Sequence, residues 1–150
     1  MKEQEVMRII LADDDEDDRA FFKQALDEIE QNAHLEVFKT GDELLDYLFD
    51  EKYDDMPHIL FLDLNMLCKK YEDCLKDIRK NSKYKDLSIA IYSTSTSETD
   101  IHETFIGGAN IYINKPNDFE VLKKVLREVL KINWQFHTSG LNKQTFLFSI

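Results

Sequence analysis

The sequence predicts an α/β fold, a parallel sheet of five strands with helices packed on both faces. Strand-like and helix-like patterns alternate five times along the chain. The third strand-like segment, over residues 58–62, is an almost unbroken apolar run, as expected for a central strand buried on both faces. Because parallel strands are joined by right-handed crossovers, five such units form a doubly wound (βα)5 three-layer sandwich. This number of units is typical of the flavodoxin-like arrangement, with strand order 2-1-3-4-5.

The first two units are defined by changes of polarity. The first strand, Arg8–Ala12, is largely apolar and ends where a run of six acidic residues begins. In the first helix, Asp17–Glu30, apolar residues recur at the spacing of one helix face. The second strand is Leu35–Lys39. We expect Thr40 to cap the second helix, over 40–49, because a Glu follows it at the capping-box spacing.

The other three units follow the same pattern. After the third strand and a loop, the third helix is predicted over Glu72–Asn81. The fourth strand, Leu87–Tyr92, ends in a run of Ser and Thr, and the fourth helix, Glu98–Ile106, is stopped by two glycines. The fifth strand is Asn110–Ile113. The fifth helix, Phe119–Ile132, carries a continuous apolar stripe.

Composition restricts the function. The chain has 150 residues, 43% hydrophobic and 33% charged, which is typical of one globular domain. A net charge of −11 argues against a nucleic-acid partner, because phosphate backbones are bound by Lys and Arg. No signal peptide or membrane-length apolar stretch is recognisable. With only Cys68 and Cys74, and no CxxC motif, we expect no disulfide scaffold and a reducing, cytoplasmic location.

The C-terminal segment, residues 133–150, differs from the predicted domain, residues 1–132. It has one charged side chain, Lys143, but many apolar ones. The alternation over Trp134–Thr138 is typical of an extended strand. The segment is too short for a second domain, and two interpretations stay open: it packs on its own domain, or it forms a dimer or partner contact.

Polar side chains follow four of the predicted strands at one edge of the sheet. Asp13 and Asp14 follow the first strand, Asp63 the third, Ser93 the fourth and Lys115 the fifth. Ligands of such sheets bind at this carboxyl edge. Three carboxylates in one cleft repel one another unless a hard cation lies between them, and oxygen ligands favour Mg²⁺.

Each of these residues also has an ordinary explanation. Asp63 could be a turn residue, Ser93 a loop hydroxyl and Lys115 a surface lysine. The rest of the acidic run, Glu16, Asp17 and Asp18, is explained as the first turn of the next helix, where the helix dipole favours acidic side chains. The convergence of several such residues on one edge favours a binding site.

Four segments of the chain, in this order, resemble the motifs of response-regulator receiver domains of two-component signalling. They are Ile9-Ile-Leu-Ala-Asp-Asp-Asp, Ile59-Leu-Phe-Leu-Asp-Leu-Asn-Met, Ile91-Tyr-Ser-Thr and Tyr112-Ile-Asn-Lys-Pro. No single segment is specific, but the resemblance extends over residues 7–131.

The resemblance implies a role for each acidic residue. Asp63 matches the family's phosphoacceptor, and Asp13 and Asp14 match the pair that holds Mg²⁺ together with Asp63. Asn65 matches the residue that gives a backbone carbonyl to the metal. The implied reaction is transfer of a phosphoryl group from a phosphohistidine to Asp63.

The resemblance also implies a switch. Ser93, with Thr94 beside it, matches the hydroxyl residue that moves onto the phosphoryl group, and Lys115 matches the lysine that binds a phosphoryl oxygen. Tyr112 matches the aromatic residue whose rotamer follows phosphorylation. The bond between Lys115 and Pro116 matches one that is usually cis in this family.

The loop after Asp63 departs from the family pattern. Leu67 stands where receivers usually have proline, and Tyr71 stands where they usually have glycine. Proline fixes the backbone and glycine accepts torsions that tyrosine resists, so this loop is predicted to be remodelled or more mobile.

The implied partners are a sensor histidine kinase or histidine phosphotransfer protein and a downstream protein target. A homodimer could form through the face of the fourth helix, fifth strand and fifth helix, or through the C-terminal segment. We expect the chain to have no enzymatic activity other than support of its own phosphorylation and dephosphorylation. An alternative is a pseudo-receiver that acts as an interaction module. An aspartate-nucleophile phosphatase is disfavoured, because Asn65 stands where that class has a second aspartate.

Overall fold

The chain forms a parallel sheet with helices on both faces, as the sequence predicts. The computed structural model describes residues 6–29, 32–53, 55–66, 68–71, 73–136 and 147–148, and side chains as far as residue 131. The strands are β1 (Met7–Ala12), β2 (Ala33–Phe38), β3 (Ile59–Leu62), β4 (Ser88–Ser93), β5 (Ile111–Asn114) and β6 (Leu147–Phe148). The helices are α1 (Glu16–Glu28), α2 (Gly41–Leu48), α3 (Cys74–Lys80), α4 (Glu98–Ile106) and α5 (Phe119–Phe136). A 3₁₀ turn covers Ser82–Tyr84.

The strand order is β2-β1-β3-β4-β5-β6, which confirms the predicted order of the first five strands. The register brings the strand ends to one level, since Ala12 lies opposite both Phe38 and Leu62. The backbone N–H of Asp63 donates to the carbonyl of Ala12 at 2.9 Å. The register therefore places the residues that follow β1 and β3 side by side.

Two apolar layers, one on each face of the sheet, hold the elements together. Alternate residues of β3 pack in opposite layers. Leu60 and Leu62 pack with α2 and α3, while Ile59 and Phe61 pack with α1 and α5. All four residues are buried. This explains the unbroken apolar run in the sequence, since neither face of the strand contacts water.

Local signals mark the helix ends as predicted. Thr40 Oγ1 accepts a hydrogen bond from the Glu43 N–H at 3.1 Å, which confirms it as the cap of α2. Helix α4 ends at Ile106, just before the two glycines. Gly108 has a φ of 105°, a backbone conformation that favours glycine. The stop signal therefore has a conformational cause.

The C-terminal segment differs from its prediction. Residues Trp134–Phe136 are the last turn of α5, so the predicted strand is wrong there, and the remainder of that prediction, His137 and Thr138, lies outside the described residues. No Gly or Pro occurs between Phe119 and Gly140, and each residue added to a helix gains a backbone hydrogen bond. Leu147–Phe148 forms β6, which pairs in parallel with β5 and extends the sheet beyond the five predicted strands.

Cys68 and Cys74 are joined by a disulfide, with 6.0 Å between their Cα atoms. The composition gave no reason to expect this bond. The sequence lacks CxxC, but the turn between β3 and α3 brings the two residues within bonding distance. In the part of the chain that the structure describes, no helix is both long and apolar enough to cross a membrane.

Candidate functional site

Asp13, Asp14 and Asp63 come together at the carboxyl edge of the sheet, as the sequence predicts. One carboxylate oxygen of each lies within 4.8 Å of one of each of the other two. Asp13 is fully buried and Asp63 is 3% exposed, whereas Asp14 is exposed. Because two of the three carboxylates are shielded from water, their mutual repulsion is poorly screened. The cluster favours a bound cation.

The oxygens of this cluster fit a hard divalent cation. Asp13 Oδ1 accepts a hydrogen bond from the Asp15 N–H at 2.9 Å. Its Oδ2 is buried and receives no hydrogen bond from the described residues. An oxygen of this kind is available as a metal ligand, and a donor set of oxygens alone is the type that Mg²⁺ prefers.

The loop after β3 folds back on Asp63. The Asn65 N–H donates to Asp63 Oδ1 at 3.1 Å, and the Met66 N–H donates to the Asp63 carbonyl at 3.1 Å. These bonds bring the backbone of Asn65 next to the carboxylate cluster. The predicted role of its carbonyl as a metal ligand is compatible with this position.

Lys115 supplies the positive charge at the site. Its Nζ lies 2.9 Å from Asp13 Oδ2, 2.9 Å from Asp18 Oδ2 and 3.4 Å from Asp63 Oδ2. The contact with Asp13 is an ion pair without the alignment of a hydrogen bond. The side chain is 9% exposed. The backbone N–H of Lys115 donates to the Ser93 carbonyl at 2.7 Å, which fixes the lysine at the end of β5.

Burial and charge determine the ionisation of this site. Burial raises the pKa of Asp63 to about 6, the nearby Asp13 adds to the rise, and the Asn65 N–H and Lys115 oppose it. Burial disfavours a charged Lys115, but its contacts with Asp13 and Asp18 prevail and raise the lysine pKa above its ordinary value. Lys115 is therefore charged at neutral pH, while Asp63 loses its proton around pH 6.

Ser93 and Tyr112 meet at the backbone of Ser95. Ser93, fully buried, accepts a hydrogen bond through Oγ from the Ser95 N–H at 3.0 Å. The Tyr112 hydroxyl donates to the Ser95 carbonyl at 2.8 Å, and its ring is buried in the core beside α3 and α4. Thr94 is exposed. The two predicted switch residues are thus linked through one segment, and Tyr112 points inward.

Two contacts of Lys115 were not predicted. Asp18 was assigned to the first turn of α1 only, yet it forms an ion pair with the lysine. No spacing in the sequence marked this contact, because Asp14 precedes the N-cap of α1 and does not share a helix face with Asp18. Lys115 Nζ also lies 5.3 Å from the centre of the Tyr92 ring, a cation–π contact. The sequence gave no signal for this second contact.

The predicted cis bond between Lys115 and Pro116 is wrong, since the described residues contain no cis peptide bond. The trans form is the more stable one even before proline, by about 0.5–1 kcal/mol.

The unusual loop after Asp63 is anchored at its far end. The Tyr71 hydroxyl donates to Asp46 Oδ1 at 2.7 Å, and its ring packs edge-on against Phe49 at 5.6 Å. The residue that stands where receivers usually have glycine therefore ties the loop to α2. Leu67, the other departure, lies outside the described residues.

Comparison with known proteins identifies the relatives of this chain. The sequence model of the response regulator receiver domain matches residues 9–127. A chemotaxis protein CheY homolog of Campylobacter jejuni is 30% identical over 124 residues, which cover 83% of this chain and 92% of that protein. The probable methanogenesis regulatory protein FilR2 of Methanothrix harundinacea is 24% identical, over 81% of this chain and 79% of its own length.

Solved structures show the same fold. The phosphorylated cyanobacterial phytochrome response regulator RcpA superposes with a TM-score of 0.76 at 22% identity, over 87% of this chain and 96% of that one. The Mn²⁺-bound form of the response regulator Rcp1 superposes with a TM-score of 0.69 at 21% identity, over 90% and 97% of the two chains. The fold is thus common to proteins of low sequence identity.

Proposed function

The chain belongs to the response regulator receiver domain family of two-component signalling, and from this we propose that it accepts a phosphoryl group on Asp63 in a Mg²⁺-dependent reaction. One observation carries the proposal. Asp63 is almost completely buried, yet it shares one cluster with two other carboxylates and lies 3.4 Å from a charged lysine. A carboxylate held in this way is arranged for chemistry rather than for stability.

In the proposed reaction, Asp63 is the nucleophile. A carboxylate oxygen attacks the phosphorus of a phosphohistidine presented by the partner. The phosphorus–nitrogen bond breaks, its electron pair stays on the imidazole, and an acyl phosphate forms on Asp63. The hydrogen bond from the Asn65 N–H to Oδ1 fixes the orientation of the carboxylate.

Charge neutralisation is the other contribution of the site. Lys115 is positioned to bind an oxygen of the incoming phosphoryl group, since its Nζ lies close to Asp63 Oδ2. Asp13, Asp14, Asp63 and the carbonyl of Asn65 would hold Mg²⁺, which neutralises charge on the phosphoryl oxygens when bound. Phosphoryl transfer needs mainly such positioning and charge stabilisation, and these residues are placed for both.

The signal would leave the site through Ser93 and Tyr112. A phosphoryl group on Asp63 would attract the Ser93 hydroxyl, with Thr94 beside it. Because the same hydroxyl accepts the Ser95 N–H, its movement would change the segment that holds the Tyr112 hydroxyl. The α4–β5–α5 surface would then change most, by a shift between existing conformations. That surface is the proposed contact for a downstream protein, and it or the C-terminal segment would serve a homodimer.

The proposed setting is the cytoplasm, with a sensor histidine kinase or a histidine phosphotransfer protein as phosphoryl donor. Turnover would be limited to the chain's own phosphorylation and dephosphorylation.

Intact-mass spectrometry after incubation with acetyl phosphate tests the proposal. We expect wild type to gain one phosphoryl group when Mg²⁺ is present and none when it is chelated. Asp63→Asn should gain none, and Asp27→Asn, which removes an exposed carboxylate from α1, should behave as wild type. A wild-type chain that gains no phosphoryl group with Mg²⁺ would favour the phosphorylation-independent interaction module.

A further inference from the structure

A disulfide lies in the segment that leaves the proposed phosphorylation site. Cys68 follows Asp63 by five positions, and Cys74 is the first residue of α3. Their sulfurs are bonded across a sequence separation of six residues. The chain has no other cysteine, so neither thiol has a competing partner within the chain.

We propose that Cys68 and Cys74 form a redox-controlled pair, whose disulfide holds the β3–α3 loop in the shape that lets Asp63 accept a phosphoryl group. This inference rests on the proposed function of Asp63. It adds a modification site and a second input, the thiol–disulfide state of the surroundings.

The two ends of the disulfide differ in how firmly they are held. Cys74 is 7% exposed and packs in the core with its α3 neighbours Leu75 and Ile78. Cys68 is only partly buried and lies in the loop. The bond therefore ties a loop residue to a fixed point in the core. Covalent closure of a short loop removes open conformations from its ensemble.

Among the described residues, the other anchors of this part of the loop are the edge-on packing of the Tyr71 ring against Phe49 and a set of exposed polar contacts. The backbone N–H groups of Lys69 and Lys70 donate to the Asp42 carboxylate at 3.2 and 2.9 Å. Lys70 and Tyr71 contact Asp46. Exposed contacts of this kind contribute little each, because water competes for both partners. Without the disulfide, we expect the loop to sample more conformations.

The conformation of this loop directly affects the orientation of Asp63, the proposed nucleophile. Asn65 and Met66 lie between Asp63 and Cys68, and their backbone N–H groups donate to Asp63, to Oδ1 and to the carbonyl. Met66 is buried in the same core layer as Cys74. When the loop loosens, these two hydrogen bonds are populated less, and the Asp63 carboxylate is less well oriented for attack.

A cavity beside the pair provides access for a small disulfide or thiol. Both cysteines line a cavity of about 890 Å³ between α3 and α4, and Asp63 lines the same cavity. Oxidation by glutathione disulfide is balanced. The Cys68 thiolate attacks one sulfur of glutathione disulfide and releases one glutathione. The Cys74 thiolate then attacks Cys68 and releases the second, so two electrons pass to glutathione and each released thiolate takes up a proton.

Phosphorylation of the full chain in two redox states tests the inference. The protein is equilibrated with glutathione disulfide or with dithiothreitol, and thiol alkylation followed by mass spectrometry counts the free cysteines. Acetyl phosphate and Mg²⁺ are then added, and the gain of a phosphoryl group is followed with time. We expect the oxidised form to be phosphorylated roughly three- to ten-fold faster than the reduced form, because the Asp63 carboxylate is less well oriented for attack in the reduced form.

Two variants keep the test specific. Cys68→Ser, at the partly exposed position, should react at the rate of the reduced form in both buffers, and Cys74→Ala should do the same. Thermal unfolding of each variant checks that it is folded. Equal wild-type rates in the two redox states, or a redox response that persists in Cys68→Ser, would overturn this inference alone. No phosphorylation in either state would overturn the proposed function as well.

Discussion

Lys115 Nζ lies 2.9 Å from Asp18 Oδ2, although the two residues are 97 positions apart in the chain. This contact joins the end of β5 to the first turn of α1. It also divides one ammonium group among three carboxylates, because Asp13 and Asp63 lie within 3.4 Å of the same nitrogen. Asp18 is the most exposed of the three. The lysine is therefore partly held away from the proposed phosphoacceptor.

Asp18→Asn is predicted to speed phosphorylation of Asp63. With one competing carboxylate removed, Lys115 spends more time near Asp63 and its incoming phosphoryl group. A partly exposed ion pair contributes up to about 1 kcal/mol, which corresponds to roughly two- to five-fold in rate. The measurement is the initial rate with acetyl phosphate and Mg²⁺. Asp17→Asn is the matched control, since it removes the same charge from the same helical turn, and a rate for Asp18→Asn at or below that of the control contradicts the prediction.

Asp63→Asn is predicted to stabilise the fold at neutral pH. The pKa of Asp63 rises from 3.8 to about 6 on folding, mainly through burial. The folded state therefore disfavours the ionised carboxylate, at a cost of roughly 1–3 kcal/mol. Replacement by a neutral isostere removes this cost and keeps an oxygen for the Asn65 N–H. Urea unfolding at pH 7.5 without divalent cations should show the gain.

The gain in stability of Asp63→Asn should become smaller as the pH is lowered. Between about pH 4 and pH 6, the folded wild type binds a proton at Asp63 that the unfolded chain has released. The contribution of Asp63 to the free energy of unfolding of the wild type thus decreases as the pH rises through this window. The stability that Asp63→Asn gains over the wild type therefore decreases as the pH is lowered to about 4. Asp27→Asn, at an exposed position, serves as the control. An advantage that is independent of pH would show that ionisation of Asp63 is not its cause.

Mg²⁺ is predicted to stabilise the chain and to release protons near pH 6. A cation among the three carboxylates removes their repulsion and favours the ionised form of Asp63. At a concentration ten times the dissociation constant, the stabilisation is about 1.4 kcal/mol. Thermal unfolding with and without Mg²⁺ measures it, and calorimetry in buffers of different ionisation enthalpy detects the protons. Asp13→Asn should abolish both effects, and their persistence in that variant would place the cation elsewhere.

Tyr112→Phe is predicted to destabilise the fold by about 0.5–1.5 kcal/mol. The substitution keeps the buried ring but removes the hydroxyl that donates to the Ser95 carbonyl at 2.8 Å. If Ser93 and Tyr112 communicate through Ser95, this variant should also show smaller amide chemical-shift changes in α4 and β5 on phosphorylation. Amide chemical-shift changes equal to those of wild type would show that Tyr112 takes no part in the switch.

The sequence was informative wherever a residue's role depends on its position in an element. Asp13 and Asp63 follow apolar strands, and because parallel strands end at one edge, their proximity could be predicted without coordinates. Thr40 and the pair Gly107–Gly108 are local signals of helix ends, and they mark α2 and α4 as expected.

The sequence was less informative where a contact depends on side-chain direction or on long-range packing. The exposed helical turn that holds Asp18 gave no indication of an ion pair with a lysine 97 positions away. The bond between Cys68 and Cys74 depends on the path of an irregular loop, which no periodic pattern describes. The alternation over Trp134–Thr138 predicted a strand, because so short a segment does not separate the two periods.

Chemical trapping of the phosphorylated residue tests the central claim most directly. Borohydride reduces an aspartyl phosphate to homoserine, so peptide mapping after reduction identifies the acceptor. After reaction with acetyl phosphate and Mg²⁺, we predict homoserine at position 63, absent when Mg²⁺ is chelated and absent from Asp63→Asn. Homoserine at Asp13 or Asp14 instead, or a phosphoryl group that resists reduction, would contradict the assignment of Asp63 as the phosphoacceptor.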